Sequence, residues 1–286
     1  SLEQDTHELA PREGLRGFFA EPRQPRRRWI DRALRCTTLV PFPVIDTHCH
    51  LTFPDFAGRV PLVLQKAREH GVRGCITIST TTKDCLAALA IAEQHENVWC
   101  TAGVHPLYAD HGPHEWGNLA TVIRSPKCVA WGELGLDNHY EDPAASLQRA
   151  VLDEQLAFIE SVHATGVSKP IVLHCREAFE DLIPVLRRTK LDPARFVFHC
   201  FTGGPSEMRL LLDFGACVSF TGVATYRNAA DVREAIKLVP DDRFMIETDA
   251  PFLSPEPHRP RDHEERPRRR GRCGCPGIDS VLGGSA

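Results

Sequence analysis

The chain contains 286 residues and has a formal net charge of −4 at pH 7. This charge excludes a protein that coats nucleic acid by general electrostatic attraction, although it leaves room for a local basic cleft. Eleven cysteines without an apolar signal segment are typical of a reducing compartment. Since no apolar run approaches the roughly 20 residues that cross a bilayer, we expect a cytoplasmic protein with no membrane partner.

Three regions of the chain differ in composition. Residues 1–42 contain the Arg-rich segment EPRQPRRRW at 21–29 and little apolar periodicity, which predicts a disordered basic leader. Residues 259–286 are rich in Arg and Gly, and we expect an atypical, disordered tail there. The intervening residues 43–258 carry regular apolar patterns and form the expected folded domain.

Short β-rich runs alternate with amphipathic stretches of helical length through this domain. The eight runs are 43–48, 74–79, 98–103, 128–134, 170–175, 195–200, 217–222 and 243–248, and the candidate helices include 60–71, 84–96, 147–166 and 231–239. Parallel strands need long crossover connections such as helices, so eight such units predict an α/β fold, the (β/α)8 TIM barrel. The alternative is an open doubly wound sheet, which normally carries a Gly-rich turn after its first strand.

The first run ends in VIDTHCHL, residues 44–51. Because residues i and i+2 of a strand point to the same side, His48 and His50 can face one point. Four further residues with metal-binding side chains close other predicted strands: Glu133, His174, His199 and Asp249. All strand carboxyl ends of a parallel barrel open on one face, so we expect these six side chains to converge there.

Each of the six side chains, taken alone, has an ordinary structural alternative, such as a helix cap or a hydrogen-bonded histidine at the rim of the core. Their common placement at strand ends favours a metal site instead. Four imidazoles and two carboxylates suit Zn²⁺, Mn²⁺ or Mg²⁺, and they suffice for two ions when one carboxylate bridges.

Seven segments together resemble the TatD family of metal-dependent deoxyribonucleases, within the amidohydrolase-like barrel enzymes. They are DTHCHL (46–51), GVHP (103–106), GELGLD (132–137), IVLHCREA (171–178), HCFTGG (199–204), SFTGVATYRNA (219–229) and ETDAPFL (247–253). The resemblance runs from Val44 to about His258. It implies a barrel hydrolase that uses two divalent ions, either Mg²⁺, Mn²⁺ or Zn²⁺.

Carried over by position, the resemblance assigns a role to each of the six side chains. It implies that His48, His50 and Asp249 hold one ion, that His174 and His199 hold the other, and that Glu133 bridges the two. Asp249 would also orient the attacking water and accept its proton. Asp249 and Glu133 are therefore the expected catalytic residues.

The substrate implied by the resemblance is DNA, or RNA, cleaved from the 3′ end of a single or frayed strand. The side chain of Arg176 would point to the same side of the strand as His174 and donate two hydrogen bonds to phosphate oxygens. The alternative is a surface ion pair. His105, in GVHP, is expected to contact substrate at the mouth of the pocket. Its alternative is a structural histidine at a strand end.

The carboxyl terminus departs from the family pattern, because no amphipathic helix follows ETDAPFL. We therefore expect the eighth helix to be missing or altered, and we hypothesise a reading-frame change or an incorrect gene end near Arg261. A helix that buries several hundred Å² contributes several kcal/mol at about 25 cal/mol per Å², so we also expect a marginally stable fold.

Two other functions remain open on the sequence. The same metals can serve ester hydrolysis, such as D-aminoacyl-tRNA deacylation, because both reactions need an activated water and a polarised oxygen. The altered carboxyl terminus motivates a different class, an inactive product or a non-catalytic metal-binding protein. The sequence does not indicate an oligomeric state.

Overall fold

The computed structural model describes residues 44–259. The expected leader at 1–42, the tail from residue 260 onward and the hypothesised frame change near Arg261 lie outside the described residues. Residues 44–258 of the folded domain expected at 43–258 are described, and its boundaries stay a prediction.

Eight parallel strands form one sheet, in which each strand pairs with the next one along the chain. They are β1 (Val44–Cys49), β2 (Val72–Thr77), β3 (Val98–Ala102), β4 (Cys128–Asp137), β5 (Ile171–Arg176), β6 (Phe196–Phe198), β7 (Cys217–Phe220) and β8 (Phe244–Ile246). Every predicted run overlaps one of these strands. The sequential order, with the first and last strands side by side, confirms the predicted (β/α)8 barrel, and the doubly wound alternative is wrong.

Seven α-helices connect the strands within residues 44–259. They are α1 (Val60–Glu69), α2 (Asp84–Gln94), α3 (Trp116–Ile123), α4 (Ala145–His163), α5 (Phe179–Leu186), α6 (Pro205–Phe214) and α7 (Ala230–Ile236). Their apolar faces pack on the outside of the sheet, as Leu152, Leu156 and Ile159 of α4 do. Among the helices described, none is both long and apolar enough to span a bilayer.

The barrel closes between β1 and the segment that follows β8. The backbone N–H of Asp249 donates a 2.8 Å hydrogen bond to the carbonyl of His48. The carboxylate of Asp46 accepts a 2.9 Å hydrogen bond from the backbone N–H of Thr248 and a 2.6 Å bond from its hydroxyl. These contacts join the two ends of the sheet beside the first predicted histidine pair.

Strand β4 is longer than the sequence predicted, because it ends at Asp137 and not at residue 134. Glu133 therefore lies within the strand and does not close it. The extension depends on Gly132 and Gly135, whose φ angles of +124° and +148° are unfavourable for other residues. A Cβ atom at Gly135 would lie 1.9 Å from the carbonyl oxygen of His174, so only glycine permits this approach of β4 to β5.

The outer faces of β1 and β8 are incompletely covered. Ile45, Phe244 and Ile246 are 46%, 45% and 47% exposed, and no helix follows β8 between residues 247 and 259. Apolar exposure at these two strands is what the sequence predicts for a barrel without a covering eighth helix. The marginal stability expected from that exposure stays a prediction.

Candidate metal centre

The predicted metal-binding side chains meet at the carboxyl-terminal face of the barrel. His48 and Glu133 lie in β1 and β4, His174 lies in β5, and His50, His105, His199 and Asp249 follow β1, β3, β6 and β8 respectively. The side chains of His174 and Asp249 are 15% and 14% exposed, and the other five are more deeply buried. The barrel thus brings all six predicted ligands together, and it adds His105 to them.

Glu133 lies at the centre of this cluster. Its Oε1 atom is 2.8 Å from Nε2 of His199, 3.0 Å from Nδ1 of His174 and 3.2 Å from Nε2 of His105. Its Oε2 atom is 3.1 Å from Nε2 of His48. Oε1 therefore faces three histidines and Oε2 faces a fourth, and a bridging ligand likewise directs its two oxygens to different sets of partners.

Asp249 completes one side of the cluster. Its Oδ1 atom lies 3.2 Å from Nε2 of His50 and 3.6 Å from Nε2 of His48. Asp249 has a φ of +57°, in the left-handed region, where Asp is better tolerated than most residues. His48 consequently stands between two carboxylates, those of Asp249 and Glu133.

The donor atoms of the cluster fit a divalent cation. Nε2 of His48 and Oε2 of Glu133 are buried, 3.1 Å apart, and have no hydrogen-bond partner among the described residues. Lone pairs that face each other in this way are costly unless a proton or a cation lies between them. Three overlapping triplets place one ligand atom of each member within 4.8 Å: His48, His50 and Glu133; His48, His199 and Glu247; and His105, Glu133 and His174.

Comparisons with known proteins show the family of this chain. Residues 45–268 match the sequence model of a family described as "TatD related DNase". The chain belongs to the TatD family. The 3'-5' ssDNA/RNA exonuclease TatD of Erwinia tasmaniensis is 38% identical over 232 residues, which cover 78% of this chain and 85% of that protein. The uncharacterized metal-dependent hydrolase YcfH of Escherichia coli K12 is 34% identical over 225 residues, or 77% of this chain and 82% of that protein.

A solved structure supports the same assignment at the level of the fold. The crystal structure of a TatD homologue from Escherichia coli K12 superposes with a TM-score of 0.69 and 30% sequence identity, over 84% of this chain and 87% of that one. This TatD chain therefore has the barrel of its family.

Two carboxylates of the TatD centre were missed by the sequence analysis. Oδ2 of Asp137 lies 2.8 Å from Nε2 of His174, and Oε1 of Glu247 lies 3.5 Å from Nδ1 of His199. Glu247 could have been found, since it stands two residues before Asp249 and shares its direction in an extended chain. Asp137 carried no such signal, because its position depends on the unpredicted extension of β4.

Charges in the TatD centre keep its carboxylates ionised. Burial would raise the pKa of Glu133, but the neighbouring imidazoles, chiefly that of His199, and a hydrogen bond from His105 outweigh it and hold this pKa well below its usual value. Burial likewise opposes the lowered pKa of Asp249, which results from its hydrogen bond to His50 and the nearby imidazoles. Ionised carboxylates are the form that binds a cation.

The histidines of the centre differ in their protonation. Burial would lower the pKa of His199, yet the charge of Glu133 and its hydrogen bond keep this pKa well above its usual value. Burial lowers the pKa of His105 to about 4 and outweighs the charge of Glu133. His105 is therefore neutral at physiological pH, whereas a cation that binds at His199 must displace a proton.

Arg176 lies at the end of β5, half-buried, beside the TatD centre. Its guanidinium carbon is 5.1 Å from the centre of the Tyr140 ring, and its Nη1 atom donates a 3.4 Å hydrogen bond to the Tyr140 hydroxyl. Among the described residues no ion pair within 4.0 Å joins this guanidinium to a carboxylate, although its charge contributes to the lowered pKa of Asp137. The phosphate contact of Arg176 stays a prediction. Stacking on Tyr140 leaves Arg176 oriented by an aromatic ring at the rim of the site.

Proposed function

We propose that this protein is a metal-dependent nuclease that hydrolyses phosphodiester bonds of single-stranded or frayed DNA from the 3′ end, with RNA as a second substrate. Two divalent ions, either Mg²⁺, Mn²⁺ or Zn²⁺, would bind at the centre. His48, His50 and Asp249 would hold one ion, and His174 and His199 the other. Glu133 would contribute one oxygen to each.

The observation that carries this proposal is the position of Glu133. Its Oε1 atom faces three histidine nitrogens and its Oε2 atom faces that of His48, at 2.8 to 3.2 Å. The buried atoms on the His48 side have no hydrogen-bond partner among the described residues. When bound, two ions at such a centre lower the pKa of a water molecule and stabilise charge on the phosphate and leaving oxygens.

The side chains of the protein would perform the remaining steps. Asp249 is ionised and lies at the more exposed side of the centre, so it can orient the attacking water and accept its proton. Arg176 would fork onto a phosphate oxygen pair and hold the scissile bond. His105 reaches the same space from the end of β3 and would contact the substrate.

The choice of phosphodiester over carboxylic ester rests on the relatives. Several relatives that are 35% to 38% identical are called 3'-5' ssDNA/RNA exonucleases. The ligand set alone would serve both reactions. A strand end fits the narrow mouth of a barrel better than the middle of a rigid duplex does.

Oligonucleotides labelled at the 5′ end and incubated with purified protein and Mn²⁺ test the proposal. We expect a ladder of products that shorten from the 3′ end. A phosphorothioate linkage at the 3′ terminus of the oligonucleotide should slow this degradation. Asp249→Asn is the matched control, since Asn tolerates the left-handed backbone of this position. Equal inactivity of the wild type and the control would contradict the proposal.

Two further measurements separate the alternatives. A panel of aminoacyl-tRNA and aryl esters reveals an esterase if these substrates are cleaved faster than oligonucleotides are. The metal content of the purified protein tests the third alternative. A protein that binds two ions but cleaves neither oligonucleotides nor esters would be a non-catalytic metal-binding protein.

A further inference from the structure

His105 and His174 are neighbours whose ring nitrogens meet within the proposed metal centre. Nε2 of His105 lies 3.1 Å from Nδ1 of His174, and both nitrogens are close to Oε1 of Glu133. The two rings offer the same kinds of atom to the same place, so residue type alone does not distinguish a metal ligand from a hydrogen-bond donor. The hydrogen-bond partner of the other nitrogen of each ring, the one that points away from the centre, does distinguish these two roles.

Asp137 determines which nitrogen of His174 carries the hydrogen. Its Oδ2 atom is 2.8 Å from Nε2 of His174, and an ionised carboxylate can only accept a hydrogen bond. Nε2 must therefore carry a hydrogen. Nδ1, 3.0 Å from Oε1 of Glu133, is the nitrogen that faces the centre, and a cation that binds there takes the place of any proton shared with Glu133.

A backbone amide determines the arrangement of His105. The N–H of Leu107 donates a 3.0 Å hydrogen bond to Nδ1 of His105, and a backbone amide can only donate. Nδ1 must therefore be unprotonated, which leaves the hydrogen on Nε2. His105 thus presents an N–H group to the centre, where Oε1 of Glu133 is 3.2 Å away.

Both arrangements are held by buried side chains of α4. Gln148 donates a 3.0 Å hydrogen bond to the carbonyl of Asp137 and accepts one of 2.9 Å from its N–H. Seven residues later, Gln155 bonds both the N–H and the carbonyl of Val104, next to His105, at 2.8 and 2.9 Å. One helix therefore fixes the backbone at both positions.

We infer that His174 offers Nδ1 to the metal, that His105 donates its Nε2 hydrogen to an oxygen of the substrate phosphate and is not a metal ligand, and that Asp137 is the positioning residue that holds His174 in this state. The inference rests on the proposed function. Three histidines contact Oε1 of Glu133 in similar ways. The inference makes two of them, His174 and His199, metal ligands, and makes the third, His105, a hydrogen-bond donor to the substrate.

Asp137→Asn is the sharpest variant, because it keeps the size of the side chain. Oδ1 of Asp137 accepts hydrogen bonds from the backbone N–H groups of His139 and Tyr140, at 3.0 and 3.1 Å, so the oxygen of D137N would stay there. Its NH₂ group would then face Nε2 of His174 and force the hydrogen onto Nδ1. We expect Mn²⁺ affinity, measured by titration calorimetry, to fall about 10- to 100-fold.

His105→Ala should behave in the opposite way. We expect its Mn²⁺ affinity to stay within about threefold of the wild type, while kcat on oligonucleotides falls at least about 100-fold, as it does when an electrostatic donor is removed. His105→Gln, whose amide can donate from a similar position, should recover part of the lost kcat. His174→Ala is the matched ligand variant, and His163→Ala, at the end of α4, controls for loss of an unrelated imidazole.

A spectroscopic readout tests the arrangement without activity. In Zn²⁺-loaded protein with ¹⁵N-labelled histidine, long-range ¹H–¹⁵N spectra should place the hydrogen on Nε2 of both rings, and the His174 hydrogen should move to Nδ1 in D137N. The inference is overturned if His105→Ala weakens Mn²⁺ binding as much as His174→Ala does, or if D137N leaves both affinity and spectrum unchanged. Absence of any Mn²⁺ binding by the wild type would instead remove the proposed function itself.

Discussion

Nε2 of His48 lies 3.1 Å from Oε2 of Glu133 with no hydrogen bond to satisfy either atom. The folded chain therefore holds a buried imidazole nitrogen and a buried carboxylate oxygen face to face, and a cation between them relieves the cost of their burial. At a metal concentration of about 100 times Kd, binding adds about 2.7 kcal/mol to the free energy of unfolding. We expect Mn²⁺ to raise the Tm of the EDTA-treated protein by roughly 5 to 10 °C.

Differential scanning fluorimetry with and without Mn²⁺ measures this shift. Glu133→Gln, which removes the bridging charge and keeps the shape, should show little or no rise. A wild-type Tm that does not respond to Mn²⁺, Zn²⁺ or Mg²⁺ would contradict a metal centre.

Asp249→Asn should abolish catalysis without unfolding the protein. Asn can adopt the φ of +57° and keep the backbone hydrogen bond to His48, but it can neither accept a proton nor carry the charge. We expect kcat to fall about 100- to 10,000-fold, with a Tm of the metal-free protein within a few degrees of the wild type. Steady-state hydrolysis rates and a thermal melt check both parts, and retention of more than a tenth of the activity would exclude Asp249 as the base.

Arg176→Lys tests the phosphate contact. Lysine keeps the charge but loses the planar fork and the stacking on Tyr140. We expect KM for oligonucleotides to rise about tenfold at 0.15 M salt, with a smaller change in kcat. Arg149→Ala, which removes an exposed ion pair with Asp153 on α4, is the control, and equal effects of the two substitutions would mean that Arg176 has no specific role.

Gly135→Ala should destabilise the barrel by at least about 3 kcal/mol. Its φ of +148° strains any other residue, and the added Cβ would overlap the carbonyl of His174 at 1.9 Å. Gly117→Ala is the matched control, because Gly117 lies in α3 with nothing within 4 Å of its Cβ position. That substitution should stabilise the protein by about 0.5 to 1 kcal/mol, and urea denaturation of both variants compares the two effects.

Glu207, which lies away from the metal centre, should make the free energy of unfolding depend on pH. It accepts hydrogen bonds of 2.9 Å from the N–H of Gly204 and the hydroxyl of Ser206 at the start of α6. A hydrogen bond from its own backbone N–H and the Ser206 hydroxyl lower the pKa of Glu207. Because the folded pKa lies below the unfolded one, this stabilisation is present above about pH 4.5 and is lost as the pH falls through the folded pKa.

Glu207→Gln should therefore cost about 0.5 to 1 kcal/mol at pH 7. The difference from the wild type should shrink towards zero near pH 3 in urea titrations. A difference that grows as the pH falls would show that the carboxylate is not the stabilising form.

The barrel and the grouping of the six candidate ligands could be predicted because their signals are local. Five of the eight β runs end at or beside a candidate such as His174 or Asp249, and the parallel topology places all strand carboxyl ends on one face. The role of Asp137 could not be predicted, since it depends on the two glycine conformations that extend β4. Gln148 would be read as a surface residue of an amphipathic helix, and only the tertiary structure reveals its backbone partners.

His105 illustrates the limit of sequence patterns for a site. GVHP predicted a substrate contact at the mouth of the pocket, which stays a prediction, but it did not indicate that the side chain lies 3.2 Å from the central carboxylate. The distance depends on how far the loop after β3 turns inward. That turn is set by Gln155, 50 residues away in the chain.

The contact between β1 and the segment after β8 couples closure of the barrel to assembly of the proposed metal centre. The hydrogen bond from Asp249 to the carbonyl of His48 joins the first and last parts of the barrel, and the same two residues contribute side chains to the centre. A molecule in which this contact has opened cannot present both side chains to one ion. If the proposed metal centre forms, its occupancy reports that β1 and the segment after β8 have paired, so that a chain whose barrel has not closed stays inactive.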